Sequence, residues 1–193
     1  MFEYAPAPES RSIVDLAPSY GLFIDGEFGP GKDVFKTINP ASEEVLAEVA
    51  AAAPEDVDRA VAAARRAFGS WSALPGAERA KYLFRIARII QERARELAVL
   101  ESLDNGKPIK ESRDVDLPLV AAHFFYYAGW ADKLPYAGFG PDPKPLGVAA
   151  QVIPWNFPLL MLAWKIAPAI AAGNCVVLKP AEFTSLTDRK SVV

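Results

Sequence analysis

Two polar clusters in this chain each follow an apolar run of strand length. Pro154-Trp155-Asn156-Phe157-Pro158 comes after residues 146–153, and Lys179-Pro180-Ala181-Glu182 comes after residues 175–178. Between them, residues 157–172 read as a helix that Gly173-Asn174 ends. Strand, helix and strand in that order form a βαβ unit with parallel strands. Open α/β sheets bind ligands at the carboxyl ends of their strands, so both clusters should reach one rim. An amide donor, an ammonium and a carboxylate gathered there suit a nucleotide or another small polar ligand.

Two other reactive side chains invite chemistry and support little of it. Cys175 is the only cysteine and lies inside an apolar run, where a thiol behaves as a small hydrophobe with a raised pKa. His123 is the only histidine. With no second histidine and no cysteine near it in sequence, it founds neither a triad nor a metal site, and it reads as a packing or surface residue. A metal site is not expected.

The elements that must hold the rim can be read from the rest of the chain. Residues 1–20 carry Pro6, Pro8 and Pro18 and no sustained period, which reads as a flexible tail unless docked. Residues 22–28 read as a hairpin turning at Asp25-Gly26, and residues 35–38 and 44–49 as two further strands around the turn at Asn39-Pro40. Pro54 opens a helix with Val57, Ala60, Val61, Ala64 and Phe68 on one face, and Gly69 is expected to stop it. A second helix from about Ala77 carries Leu83, Ile86, Ile90, Ala94 and Leu97 on one stripe. A third runs from Pro108 toward Lys133, interrupted near Pro118. Residues 135–145 hold four prolines and read as a connector. The runs at 146–153 and 175–178 have the unbroken apolar character of strands buried on both faces.

Bulk properties agree with a globular, largely apolar chain. Of 193 residues 51% are hydrophobic and 23% charged, with a net charge of -3 and both signs interspersed. No basic stripe points to nucleic acid or an anionic membrane. The most apolar stretch, residues 157–172, contains Lys165 and falls short of the roughly 20 residues a membrane helix needs. The first residues lack a basic segment followed by an apolar run, which argues against a secretory signal. One cysteine cannot form an internal disulfide, and a cytoplasmic location is expected.

Several of these segments resemble the aldehyde dehydrogenase superfamily. The similar stretches are Ile153-Pro-Trp-Asn-Phe-Pro-Leu-Leu-Met161, Ala172-Gly-Asn-Cys-Val-Val-Leu-Lys-Pro-Ala-Glu182, Leu103-Asp-Asn-Gly-Lys-Pro108 and Tyr126-Tyr-Ala-Gly-Trp-Ala-Asp-Lys133. Ile38-Asn-Pro-Ala41 is similar more weakly. The order is the family's, and the resemblance spans residues 21–187.

The resemblance implies an α/β fold with an incomplete Rossmann-type parallel sheet, flanking helices and short N-terminal strands. It implies NAD(P)-dependent oxidation of an aldehyde to a carboxylic acid through a thiolate adduct. Asn156 matches the oxyanion donor, although an asparagine there could equally be a helix cap. Val152, Ile153, Pro154, Trp155 and Asn156, with Lys179 and Glu182, match the cofactor site. Glu182 would grip the ribose diol and favour NAD, with NADP possible beside Lys179. Phe157, Met161 and Trp164 match the wall of the aldehyde tunnel, a row that core packing would also explain. Thr37 and Asp104 resemble residues beside a monovalent cation in some members, and Asp104-Asn105-Gly106 serves equally well as a plain turn.

Against the family pattern, residues 21–134 read as the N-terminal part of the coenzyme domain, 135–145 as a shortened oligomerisation arm and 146–187 as the first βαβ unit. The tail 188–193 departs from the pattern and reads as an artefact of a truncated gene. The full-length member is expected to be a homo-oligomer. The chain itself is expected to lack the nucleophilic cysteine and general-base glutamate, and to be inactive alone. The alternative is a short non-catalytic paralogue that binds a nucleotide or a partner.

Overall fold

The computed structural model describes residues 9–191. Strand β1 (Ser19–Tyr20) pairs in parallel with residues 48–49, so the end of the expected tail is docked. Strands β2 (Leu22–Ile24) and β3 (Glu27–Gly29) form the expected hairpin. Its turn residues Asp25 and Gly26 both take left-handed conformations, φ 58° and 84°, which matches the twist of a two-residue hairpin loop. Strands β4 (Asp33–Ile38) and β5 (Val45–Ala51) pair antiparallel, giving the order β1-β5-β4. Asn39 closes their turn, with its Oδ1 accepting from the Ala41 amide at 2.9 Å.

Helix α1 (Pro54–Ala73) starts where Pro54 predicts, and the Asp56 carboxylate accepts from the Ala53 amide at 2.9 Å. Gly69 does not stop it. A Cβ at Gly69 would meet nothing, so the position is simply an exposed helical turn. The stop comes at Leu74, φ -63° and ψ 136°, because the following Pro75 excludes helical geometry there.

The single stripe expected through Leu97 is two helices, α2 (Gly76–Glu92) and α3 (Ala94–Asn105). Arg93, at φ -99° and ψ 10°, breaks the axis between them. The third element begins as the single turn α4 (Ile109–Glu111) and widens into a π turn at Ser112–Asp116. It resumes as α5 (Leu117–Trp130) with Pro118 in the first turn. Placing the proline at that start removes its clash with a preceding carbonyl.

Strand β6 (Val148–Val152), helix α6 (Pro158–Ala171) and strand β7 (Cys175–Lys179) form the βαβ unit, with the two strands parallel. Asn174 closes it: its Oδ1 accepts from the Leu146 and Gly147 amides, and its Nδ2 donates to the Ala169 carbonyl. The short helix α7 (Leu186–Ser191) follows. The main core lies between α2, α5 and α6. Buried Ala80, Ala87, Ala121, Ala128, Ala163 and Ala167 let these helices approach closely around Leu83, Phe124 and Leu159. Arg79 is buried with them, and its Nε donates to the Ala171 carbonyl at the C-terminal end of α6.

The expectation of strands buried on both faces is corrected. Val152 is 63% exposed and residues 175–178 are only half-buried. Among the described residues this sheet has two strands, so each strand has one edge without a strand partner. An apolar run shows that both faces of a strand suit cover, while the cover itself comes from neighbouring elements.

Candidate functional site

The register of β6 and β7 ends at Val152 opposite Lys179, and the Ile153 amide donates to the Lys179 carbonyl at 3.0 Å. Because the strands are parallel, residues 153–157 and 180–182 leave the sheet at the same end. The Trp155 carbonyl accepts from the Thr184 hydroxyl at 3.2 Å and from the Asn105 side-chain amide at 2.5 Å. Three loops therefore meet at one rim: β6–α6, the segment after β7, and the segment after α3.

Asn156 is exposed there, without a hydrogen-bond partner among the described residues. It does not cap the helix. The N-cap of α6 is Phe157, which makes no side-chain cap bond, and Pro158 at the first position has no N–H to satisfy. The Asn156 amide is thus available to a ligand.

Lys179 and Glu182 pair with each other, Nζ to Oε2 at 3.2 Å, with both side chains more than 60% exposed. Glu182's own backbone amide and the Lys179 ammonium hold its carboxyl below the usual range, so it is an anion at neutral pH.

The remaining candidates separate by exposure. Val152, Pro154 and Trp155 are exposed, but Ile153 is 2% exposed and points into the core. It can offer a ligand only backbone atoms. Phe157 and Trp164 are 39% and 47% exposed, while Met161 is half-buried against the core. The row is exposed at both ends and packs on the core in its middle. The Trp164 ring lies 5.3 Å from that of His123, whose Nδ1 is 2.8 Å from the Leu119 carbonyl, so the lone histidine packs on the helix surface. Cys175 lies half-buried in β7, and burial raises its thiol pKa.

Two buried acids lie near the rim, Asp104, which the sequence singles out, and Glu101, which it does not. The Thr37 hydroxyl donates to Asp104 Oδ1 at 2.6 Å, and the Leu186 amide donates to Oδ2 at 2.9 Å. Both carboxyl oxygens of Asp104 are therefore engaged by protein groups. Burial pushes Asp104 up to about 6 against these two donors. Asp104→Ala would leave a buried hydroxyl and a buried amide without an acceptor. It is expected to lower the unfolding free energy by about 2–3 kcal/mol, measured by urea denaturation.

The second acid belongs to a cluster that motif reading missed. Lys107, whose side chain is 10% exposed, pairs with Asp116, lies 3.6 Å from Glu101 Oε1, and sets its Nζ 4.0 Å from the Phe157 ring centroid. Glu101 is fully buried, and neither carboxyl oxygen has a hydrogen-bond partner of ordinary geometry. Burial pushes it up to about 7; the Lys107 charge opposes the rise and Asp116 adds to it. A glutamate within the buried run Leu97-Ala98-Val99-Leu100 was the available signal.

A parallel strand pair with polar groups at its carboxyl ends places the chain among α/β proteins of the dinucleotide-binding kind. The sequence profile of the aldehyde dehydrogenase family matches residues 28–192. Aminoacetaldehyde dehydrogenase of Pseudomonas aeruginosa is 49% identical over 178 residues, covering 86% of this chain and 36% of that protein. Mitochondrial benzaldehyde dehydrogenase of Antirrhinum majus is 47% identical over 179 residues, covering 86% and 33%. The structure of a double mutant of Staphylococcus aureus betaine aldehyde dehydrogenase in complex with NAD+ matches with a TM-score of 0.82 at 40% identity, covering 91% of this chain and 37% of that one. The chain belongs to the aldehyde dehydrogenase family, and it spans about a third of the length of these curated relatives. No helix among the described residues is long and apolar enough to cross a membrane.

Proposed function

We propose that this chain forms the oxyanion and adenosine-binding part of an enzyme that oxidises an aldehyde to a carboxylic acid with NAD. The carrying observation is the parallel pairing that ends at Val152 and Lys179, which sends Asn156 and Glu182 off one end of the sheet. The donor set suits the group. An ionised Glu182 can accept from both hydroxyls of a ribose diol, and it would repel a phosphate at the 2′ position. Exposed Val152 and Trp155 offer apolar surface to the adenosine end. Bound NAD supplies the hydride acceptor.

The chain's own residues would do the rest of the work at this rim. The Asn156 amide donates an N–H to the aldehyde oxygen as negative charge gathers there during thiolate attack. A fixed neutral donor meets that charge without reorganising. Phe157, Met161 and Trp164 would present an apolar, partly aromatic wall, which favours an apolar or aromatic aldehyde. The attacking thiolate is not Cys175, whose thiol is half-buried within a strand and raised in pKa. A homo-oligomeric, cytoplasmic enzyme completes the proposal; the single cysteine suits a reducing compartment.

Titration of NAD and NADP into the family-length protein tests the cofactor assignment. The parent should prefer NAD. Glu182→Gln should weaken NAD by about tenfold and NADP much less, because hydrogen bonds to an ionised acceptor are the stronger kind. An unchanged ratio of the two dissociation constants would remove Glu182 from the site.

A further inference from the structure

Asn156 has no partner of its own, yet the residues on each side of it are held by one short segment. Gly106 takes a left-handed conformation, φ 83°, at the C-terminal end of α3. That turn sends Asn105 and Lys107 toward the β6–α6 loop. Asn105 Nδ2 donates to the Trp155 carbonyl, and Lys107 Nζ sits over the Phe157 ring. The segment is in turn fixed from behind. Asp104 accepts from Thr37 and from Leu186, and Lys107 is paired with Asp116 and lies 3.6 Å from Glu101.

We propose that Asn105 and Lys107 are positioning residues for the oxyanion donor Asn156, gripping the residue before it and the residue after it. The proposal rests on the reading of Asn156 given above. The peptide unit from Trp155 to Asn156 is planar, so fixing the Trp155 carbonyl also fixes where the Asn156 backbone leaves that plane. The Thr184 hydroxyl shares that carbonyl and holds the plane from a second direction. On the far side, an ammonium over an aromatic face is attractive, and the attraction strengthens where water is excluded. Lys107 is largely excluded from water, so its hold on Phe157 is stiff. Asn156 itself is an exposed side chain in a loop, and these two side chains hold the residues on either side of it. Catalytic donors must lie close to the developing charge, and a displacement of about 1 Å can cost about 100-fold in rate.

The test uses a family-length protein carrying this segment, with Asn105→Ala, Lys107→Met and Asn156→Ala made singly and in combination. Asn105→Ala and Lys107→Met should each lower kcat by about tenfold to 100-fold. The KM for aldehyde and the Kd for NAD, the latter read by titration without turnover, should stay within about threefold. Lys107→Arg should recover most of the loss, since it keeps a cation over the ring. In the Asn156→Ala background the two positioning changes should cost nothing more, because the group they place is gone. Lys107→Met strands two buried acids and can prevent folding. The triple variant Glu101→Gln/Lys107→Met/Asp116→Asn removes that charge imbalance and should show the same loss of kcat. If Asn156→Ala reduces turnover while Asn105→Ala and the triple variant keep the parent kcat, positioning is refuted and the oxyanion reading stands. Losses that multiply in the Asn156→Ala background refute it as well, since they show an effect outside Asn156. If Asn156→Ala leaves turnover intact, the oxyanion reading fails and this proposal fails with it.

Discussion

Asn156→Ala is expected to lower the kcat of a family-length protein by about 100-fold to 1,000-fold, the usual cost of removing one oxyanion donor. The same change should leave the folded state almost untouched. Asn156 is exposed, bonds to nothing among the described residues and caps no helix, since the N-cap of α6 is Phe157. Surface substitutions of that kind fall within about 0.5 kcal/mol of the parent. The NAD dissociation constant should also hold, because the ribose contacts assigned to Glu182 come from the segment after β7. Steady-state kinetics, NAD titration and urea denaturation on one preparation therefore separate the two readings of this residue. A structural asparagine would lose stability along with activity, whereas a donor to the transition state loses kcat alone. Asn156→Asp should be at least as damaging, since a carboxylate would face the developing oxyanion with like charge.

The folded state should lose stability as pH rises from about 4 to about 7, a direction set by two buried acids. Glu101 is raised from 4.5 to about 7 and Asp104 from 3.8 to about 6, in both cases chiefly by burial. Over that window the unfolded chain has released protons that the folded chain still holds. Unfolding free energy therefore falls with rising pH, and the stability present below the ordinary carboxyl pKa is gone above the raised one. Each acid contributes a change of roughly 3 kcal/mol at most, from its shift and about 1.4 kcal/mol per pH unit. Glu44, Asp56, Asp114, Asp132 and Glu182 are shifted downward, so they add stability as pH rises through the ordinary carboxyl range of 3.8 to 4.5 and are nearly complete by about pH 5, where the comparison begins. Urea denaturation at pH 5 and pH 8 should show the fall, and Glu101→Gln should remove about half of it. Stability that climbs across the window, or a Glu101→Gln protein with the parent's slope, would sink the assignment.

Much of the candidate site was legible because its signals are local. Asp25-Gly26 turned a hairpin since left-handed backbone is permitted there, and Pro54 and Pro158 opened helices since neither needs an N–H partner. The βαβ order pointed to Asn156 and Glu182 leaving one end of the sheet, because a single helical crossover suits a parallel pair, as observed. Other features resisted the same reading. Gly69 looks like a stop but sits in an exposed turn, and the true stop depends on Pro75. The break at Arg93 interrupts a stripe whose apolar spacing continues unbroken into Leu97.

The sequence by itself determined the family, the order of elements and the residue types at the rim, all of which follow from chemistry carried within a few neighbouring residues. Only the tertiary structure decided that Ile153 faces inward, that the two strands are half-covered, and that Asn105 and Lys107 close on either side of Asn156. Periodicity tells which face of an element seeks cover. The partner that arrives there, and the dielectric it leaves around Glu101 and Asp104, depend on segments tens of residues away in the chain.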